Sequence, residues 1–138
     1  EYNVYADPAS ARAVFESDAR MTMVGWDVSR KYAVFEPRDW EELHALGPLG
    51  AFSVDIQRTL IEFCRTTLGK ESFDLPDPIA TAVAIDRNVA THTIRARVEV
   101  DPETARTHMR SDGEPQCEVV VAASGDRFRA LLRDALRS

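Results

Sequence analysis

The stretch Met21-Thr22-Met23-Val24-Gly25-Trp26-Asp27-Val28 decides the fold class. It is short, apolar and partly β-branched, without the polar alternation of a strand that faces water on one side. A run of this kind suits a strand covered on both faces, as in a parallel sheet. We expect a buried strand here, with Asp27 near its C-terminal end. Open α/β sheets often place functional polar groups at such ends, although a purely structural role for Asp27 is the simpler reading.

The pattern on either side alternates between helix and strand. Upstream, Tyr2, Val4 and Ala6 form a short extended lead-in that ends at Asp7-Pro8. Asp7 can cap a helix and Pro8 suits its first turn, where an N–H would go unbonded anyway. Ala9, Ala13, Val14 and Phe15 then supply an apolar helical face. Downstream, Glu36-Pro37 opens a helix with Trp40, Leu43 and Leu46 at helical spacing, closed by Gly47-Pro48. Residues 49–68 predict one longer helix, with Phe52, Ile56, Leu60, Phe63 and Cys64 as its apolar stripe and Gly69 as its stop. The cap-and-proline pattern returns at Asp77-Pro78. Residues 93–100 and 117–123 alternate as strands, and Ser124 caps a final amphipathic helix through Phe128, Leu131, Leu132 and Leu136. Residues 101–116 are polar with weak periodicity and predict a loop or flap.

Helices alternating with strands indicate an α/β layer fold around a mostly parallel sheet. Three or four strands are too few to cover such a sheet, so a partner segment is expected. With 44% hydrophobic and 29% charged residues over 138 positions, the chain can bury a core of its own. A net charge of −6 and the lack of any basic run interleaved with aromatics exclude a nucleic-acid polymer as partner. No run approaches the roughly 18 apolar residues that a membrane span needs. The two cysteines, Cys64 and Cys117, stand in no metal-binding spacing and read as reduced buried thiols. His44 reads as solvated, Trp26 and Trp40 as core or interface residues.

Three segments, in this order, resemble the inosine-uridine preferring nucleoside hydrolase family. Glu1-Tyr2-Asn3-Val4-Tyr5-Ala6-Asp7-Pro8 is similar to a Glu-Phe-Asn-(x)3-Asp-Pro segment. Met23-Val24-Gly25-Trp26-Asp27-Val28 is similar to Met-Val-Gly-Leu-Asp-Val. Leu75-Pro76-Asp77-Pro78 is similar to Leu-His-Asp-Pro at a helix start. The resemblance implies a Rossmann-like open, mostly parallel sheet flanked by helices. It also implies that residues 1–138 are the C-terminal part of a single hydrolase domain, without its Asp-rich N-terminal part.

The implied activity is calcium-assisted hydrolysis of the N-glycosidic bond of ribonucleosides. By resemblance, Glu1 would hold the ribose 5′-hydroxyl and Asn3 the 2′-hydroxyl, with Tyr2 also among the substrate-binding residues. Asp77 would ligate calcium and bind the 3′-hydroxyl. The chemistry is reasonable on its own terms. Calcium wants several hard oxygen ligands, and buried sugar hydroxyls need partners, since each left unpaired costs about 1–3 kcal/mol. On spacing alone Asp77 reads as a helix N-cap, a role compatible with reaching a cation. Likewise Glu1 and Asn3 alone would read as surface residues.

Two departures from the family pattern matter. No stretch matches the aspartate cluster that holds the metal and the attacking water, so this chain alone is expected to be inactive. The position of the family's leaving-group acid, a histidine, is Pro76, which cannot transfer a proton. His92 and His108 are substitute candidates. The resemblance further implies a homodimer or homotetramer, a cytoplasmic location and a small ribonucleoside as partner. A non-catalytic ribosyl-binding α/β domain, or an inactive fragment, is the competing expectation.

Overall fold

The computed structural model describes residues 2–110 and 112–137, so Glu1 lies outside the described residues. In chain order the first elements are α1 (Tyr2–Ala6), α2 (Pro8–Phe15), β1 (Met21–Val24), α3 (Trp26–Tyr32) and β2 (Val34–Phe35). Then come α4 (Pro37–His44), α5 (Pro48–Asp55), α6 (Arg58–Thr67), β3 (Phe73–Asp74) and α7 (Pro76–Ile85). A 3-10 turn (Arg87–Val89) leads into β4 (Ala90–Val100), β5 (Thr107–Arg110), β6 (Cys117–Ala123) and α8 (Gly125–Leu136).

β6 organises the sheet. Its sequence CEVVVAA is apolar almost throughout, so both faces seek cover. It pairs parallel with β1 (Met23 opposite Val119) and antiparallel with β4 (Ile94 opposite Val119). β4 in turn pairs antiparallel with β5, giving the order β1-β6-β4-β5. The architecture is α/β as expected, an open sheet flanked by helices. Its parallel part is the β1–β6 pair, and both pairings of β4 among the described residues are antiparallel. For β4 and β5 the reason is local: the short connection through 101–106 can form a hairpin but not a parallel crossover.

Each sheet face carries its own core. On one side Val120 and Ala123 of β6 meet Val28, Phe35, Trp40, Leu43, Ile79, Val83 and Phe128, from α3, β2, α4, α7 and α8. Aromatic rings knit this core together. Phe35 lies 5.2 Å from Trp40 and edge-on to Phe128 at 6.0 Å, while Trp40 stacks on Phe73 at 4.7 Å. On the other side Cys117 and Val119 join Ala96 and Val98, with Phe15 of α2 packed over them. The second core is thin, and β1 is an edge strand with one neighbour among the described residues.

Several local expectations need correction. The segment 2–6 is a helical turn and not an extended lead-in. The strand ends at Val24, because Gly25 takes up the N-cap position of α3 (φ −77, ψ 165). Asp27 therefore sits in a first helical turn, where a carboxylate opposes the helix dipole favourably, and not at a strand end. Its Oδ1 folds so close over Gly25 that a Cβ there would come within 2.3 Å.

The expected long helix over 49–68 is two. The Gln57 N–H turns back to Val54 at 3.0 Å, a tightened i→i−3 bond, before α6 resumes. The predicted buried stripe also faces outward: Phe52, Ile56, Leu60 and Phe63 are 61%, 60%, 42% and 49% exposed. Only Cys64 of that set is buried. Within 101–116, the expected loop contains β5, which closes a hairpin on β4. Asp101 caps its turn by accepting the Glu103 and Thr104 N–H groups at 2.9 and 2.8 Å. Gln116 extends the ladder with its side chain, bonding the Val98 N–H and carbonyl at 3.2 and 3.0 Å.

Other expectations hold. Asp7 accepts the Ser10 N–H at 2.9 Å and caps α2. α4 opens at Glu36-Pro37, where the Glu36 N–H donates to Asp39 Oδ2 at 2.8 Å. Ser124 accepts the Arg127 N–H at 3.2 Å and caps α8. Gly69 adopts the left-handed conformation (φ 62) that ends α6, with the Lys70 N–H returning to Cys64 at 3.0 Å.

Two predictions follow from these contacts. Gly50 is buried where α5 meets α4, and a Cβ there would stand 2.2 Å from the Leu43 carbonyl oxygen. Gly50→Ala should cost about 1–3 kcal/mol of stability, read from urea unfolding, because backbone must move to admit the methyl. The second concerns Asp86, whose carboxyl is held below its ordinary 3.8 by hydrogen bonds from Arg127 and from Asn88. A depressed folded pKa adds stability above the ordinary carboxylate range and loses it as pH falls through the folded value. Asp86→Asn should therefore flatten the acid limb of a stability–pH profile below about pH 4 while leaving its neutral slope unchanged.

Candidate functional site

The start of α7 carries the best-defined candidate. Leu75 is the N-cap, and Pro76 and Pro78 occupy the first turn with Asp77 between them. The expected capping role of Asp77 is thus corrected: the residue lies inside the helix, and its carboxylate makes no hydrogen bond or ion pair among the described residues. It is exposed to solvent. Ile79, fully buried, anchors the same turn into the core. Asp77 therefore presents an unengaged carboxylate from a rigid base, at the positive end of a helix dipole. Pro76 is also exposed, and its ring has no proton to give.

Asn3 and Tyr2 belong to α1, and both are exposed, Tyr2 at 78%. The Asn3 carbonyl accepts the Asp7 N–H at 3.2 Å, which joins α1 to the cap of α2. α1 packs on α2, which covers the β4 side of the second core, whereas α7 packs against α3, α8 and β1. The two motif segments thus approach the sheet from opposite faces. Two hollows are described, one of about 340 Å³ lined by Trp40, Glu41, His44, Ala45 and Val54, the other of about 240 Å³ beside Arg12, Arg97 and Gln116. Neither is lined by Asn3 or Asp77.

The remaining candidates make no hydrogen bond or ion pair with Asp77 among the described residues. His44 is exposed in the last turn of α4. His92 is exposed at the irregular start of β4. His108 stands opposite Glu99 on β5, the sheet edge remote from β1. Trp26 is half-exposed under the Arg30 guanidinium, 3.8 Å from its ring centroid, and Trp40 is buried in the aromatic core. Among the described residues, no group of three or more His, Cys, Asp or Glu side chains could hold a metal ion. None of their helices is long and apolar enough to cross a membrane.

The carboxylates held below their ordinary range serve the fold. Asp7 is lowered by the Ser10 hydroxyl and N–H, Asp101 by the Thr104 and Glu103 N–H groups, and Glu118 by Arg87 and Thr93. Burial pushes the Cys117 thiol up, which makes it a poor nucleophile. One residue important to the site region escaped the sequence reading. Ser29, fully buried in α3, bonds Asp74 just ahead of α7, and no periodicity or motif marks it.

A four-stranded open sheet flanked by helices, with an exposed carboxylate in the first turn of α7, defines a class of protein, an α/β module. The comparisons say which class. The model of the inosine-uridine preferring nucleoside hydrolases matches residues 1–130, and the chain belongs to that family. It is 31% identical to an inosine-uridine preferring nucleoside hydrolase of Leishmania major, over 99% of this chain and 45% of that protein. It is 27% identical to the pyrimidine-specific ribonucleoside hydrolase RihA of Shigella boydii, over 99% of this chain and 47% of that one.

Among solved structures, a plant nucleoside hydrolase superposes with a TM-score of 0.88 at 20% identity, over 100% of this chain and 48% of the plant chain. A purine-preferring ribonucleoside hydrolase from Gardnerella vaginalis gives 0.81 at 25% identity, over 99% and 47%. The chain thus spans about half the length of the curated relatives it matches.

Burial of Cys64 and Cys117 generates a simple check. Both thiols should resist a water-soluble disulfide reagent in the native protein and react fully once urea is added.

Proposed function

We propose that the full-length protein containing this chain hydrolyses the N-glycosidic bond of ribonucleosides to ribose and free base. The observation that carries this reading is the family membership together with Asn3 and Asp77 at the motif positions, both exposed to solvent. Asn3 and Asp77 would hold ribose hydroxyls, joined by Tyr2 and by Glu1, which lies outside the described residues. Amide and carboxylate groups can pair with both the donor and acceptor sides of a diol. Negative charge beside the ring would also favour the positive charge that develops on ribose as the bond to the base breaks.

Asp77 is also the proposed calcium ligand. A hard carboxylate oxygen with no other partner suits the cation, but calcium takes six to eight oxygens, and one is too few. The further ligands must come from outside the described residues. When bound, calcium would supply positive charge to orient hydroxyls and activate water. The same limit leads us to propose that the isolated 138-residue chain is inactive. The intact protein would act as a homodimer or homotetramer in the cytoplasm.

Pro76 favours a second reading, a ribosyl-binding protein without turnover, because the leaving base would lack its acid from this position. A substrate whose leaving group departs without protonation separates the two. The full-length protein should cleave p-nitrophenyl riboside, lose that activity to a calcium chelator, and lose about 100-fold or more in Asp77→Asn. Tight ribosyl-ligand binding without any cleavage of the activated riboside would establish the second reading instead.

A further inference from the structure

We infer that the outward ridge of α5 and α6 is a contact surface for a second copy of this chain; this gives the oligomer proposed above an interface and rests on that proposal. Leu49, Phe52, Ile56, Leu60 and Phe63 recur at helical spacing, and all of them are exposed. Ile56 and Gln57, where the two helices join, stay in the right-handed helical region (φ −67, ψ −20 and φ −86, ψ −4), so one ridge carries the set. The opposite side of the ridge is engaged by the fold itself. Gly50 and Cys64 are buried there, and Val54 and Ile61 pack on the core. Single exposed apolar side chains need no explanation, but a contiguous row of them marks a contact surface.

A like copy is the occupant that the row itself describes, because it reads nearly the same in either direction. About a centre between Ile56 and Leu60, Phe52 mirrors Phe63 and Ile56 mirrors Leu60. A two-fold contact requires this symmetry, since one patch meets itself reversed. Two ridges crossing antiparallel would set Phe52 of one copy on Phe63 of the other, and Ile56 on Leu60. The charged flank does not oppose the approach: Arg58 is paired with Asp55 and Arg65 with Glu62 within the chain, at 2.6 and 2.8 Å. The area is sufficient as well. At roughly 200 Å² for a fully exposed side chain of this size, the row presents about 500 Å² per copy. Two copies would bury about 1,000 Å² before any polar rim is counted, which is where specific interfaces begin. The ridge also stands apart from the open edge of the sheet. α7 packs against β1, α8 against α7, and α5 against α8, so a segment that extends the sheet at β1 meets α7 first.

The test is sedimentation velocity on the full-length protein, which should run as a dimer or a multiple of one. Ile56→Lys and Leu60→Glu, each alone, should raise the dissociation constant about 100-fold or more, because each sets a charge against an apolar side chain. Mixed in equal amounts, the two variants should reassociate, since the new lysine of one copy then meets the new glutamate of the other. If a charged variant does not fold, the milder pair Ile56→Ala with Leu60→Ala serves, with an expected loss of about 10-fold or more. An oligomeric parent whose size survives the single variants, or variants that fall apart and stay apart when mixed, overturns this interface and leaves the oligomer standing. Failure of all these variants to fold assigns the row to the interior of the full-length chain and overturns it too. A monomeric parent removes the oligomer and the interface together.

Discussion

Strand β6 must bury apolar side chains on both faces at once, and the layout of the chain answers that demand. Val120 and Ala123 call for the helical layer of α3, α4, α7 and α8, while Cys117 and Val119 call for α2 on the far side. A strand covered on two faces cannot slip by one residue without driving Glu118 into the second core, so its register with β1 and β4 is specified. α7 takes its place on the sheet from that register, and Asp77 takes its place from α7.

The parts of the fold most legible in sequence were those where a local signal and burial agree. The α2 and α8 starts carried Asp7 and Ser124 as caps, and each accepts the N–H its identity suggests. β4 alternated because its second half buries one side only, and β6 was readable from its unbroken apolar run. Where signal and burial diverge, the reading failed. Five residues, 2–6, cannot display a helical period, so Tyr2, Val4 and Ala6 imitated a strand. β5 is an exposed edge strand and has no buried side from which a period of two could arise. The stripe from Phe52 to Phe63 has a helical period without being buried, since periodicity reports which side of a helix is apolar and not what covers it.

The candidate site was legible in a different way. Asn3, Asp77 and the replacement at Pro76 were readable as motif positions, because side-chain chemistry at a fixed spacing survives in a linear string. What supports them was not. Ser29 and Asp74 are 45 residues apart, and their bond exists only because α3 and β3 meet in the folded chain. Asp77 shows the limit from the other direction: its spacing from Pro78 matched a cap, but the N-cap falls two residues earlier, at Leu75, and this leaves the carboxylate unengaged.

Pro76 sets two properties against each other. Histidine and proline codons differ by a single base, so one mutation can exchange a titratable ring for a rigid one at the head of α7. The ring presets φ and narrows the unfolded ensemble, a gain for the native state at a position whose N–H no helical carbonyl needs. Under the proposed hydrolysis, what is surrendered would be a proton source beside the departing base. On that reading the position trades a titratable ring for a rigid one, and this chain carries proline there.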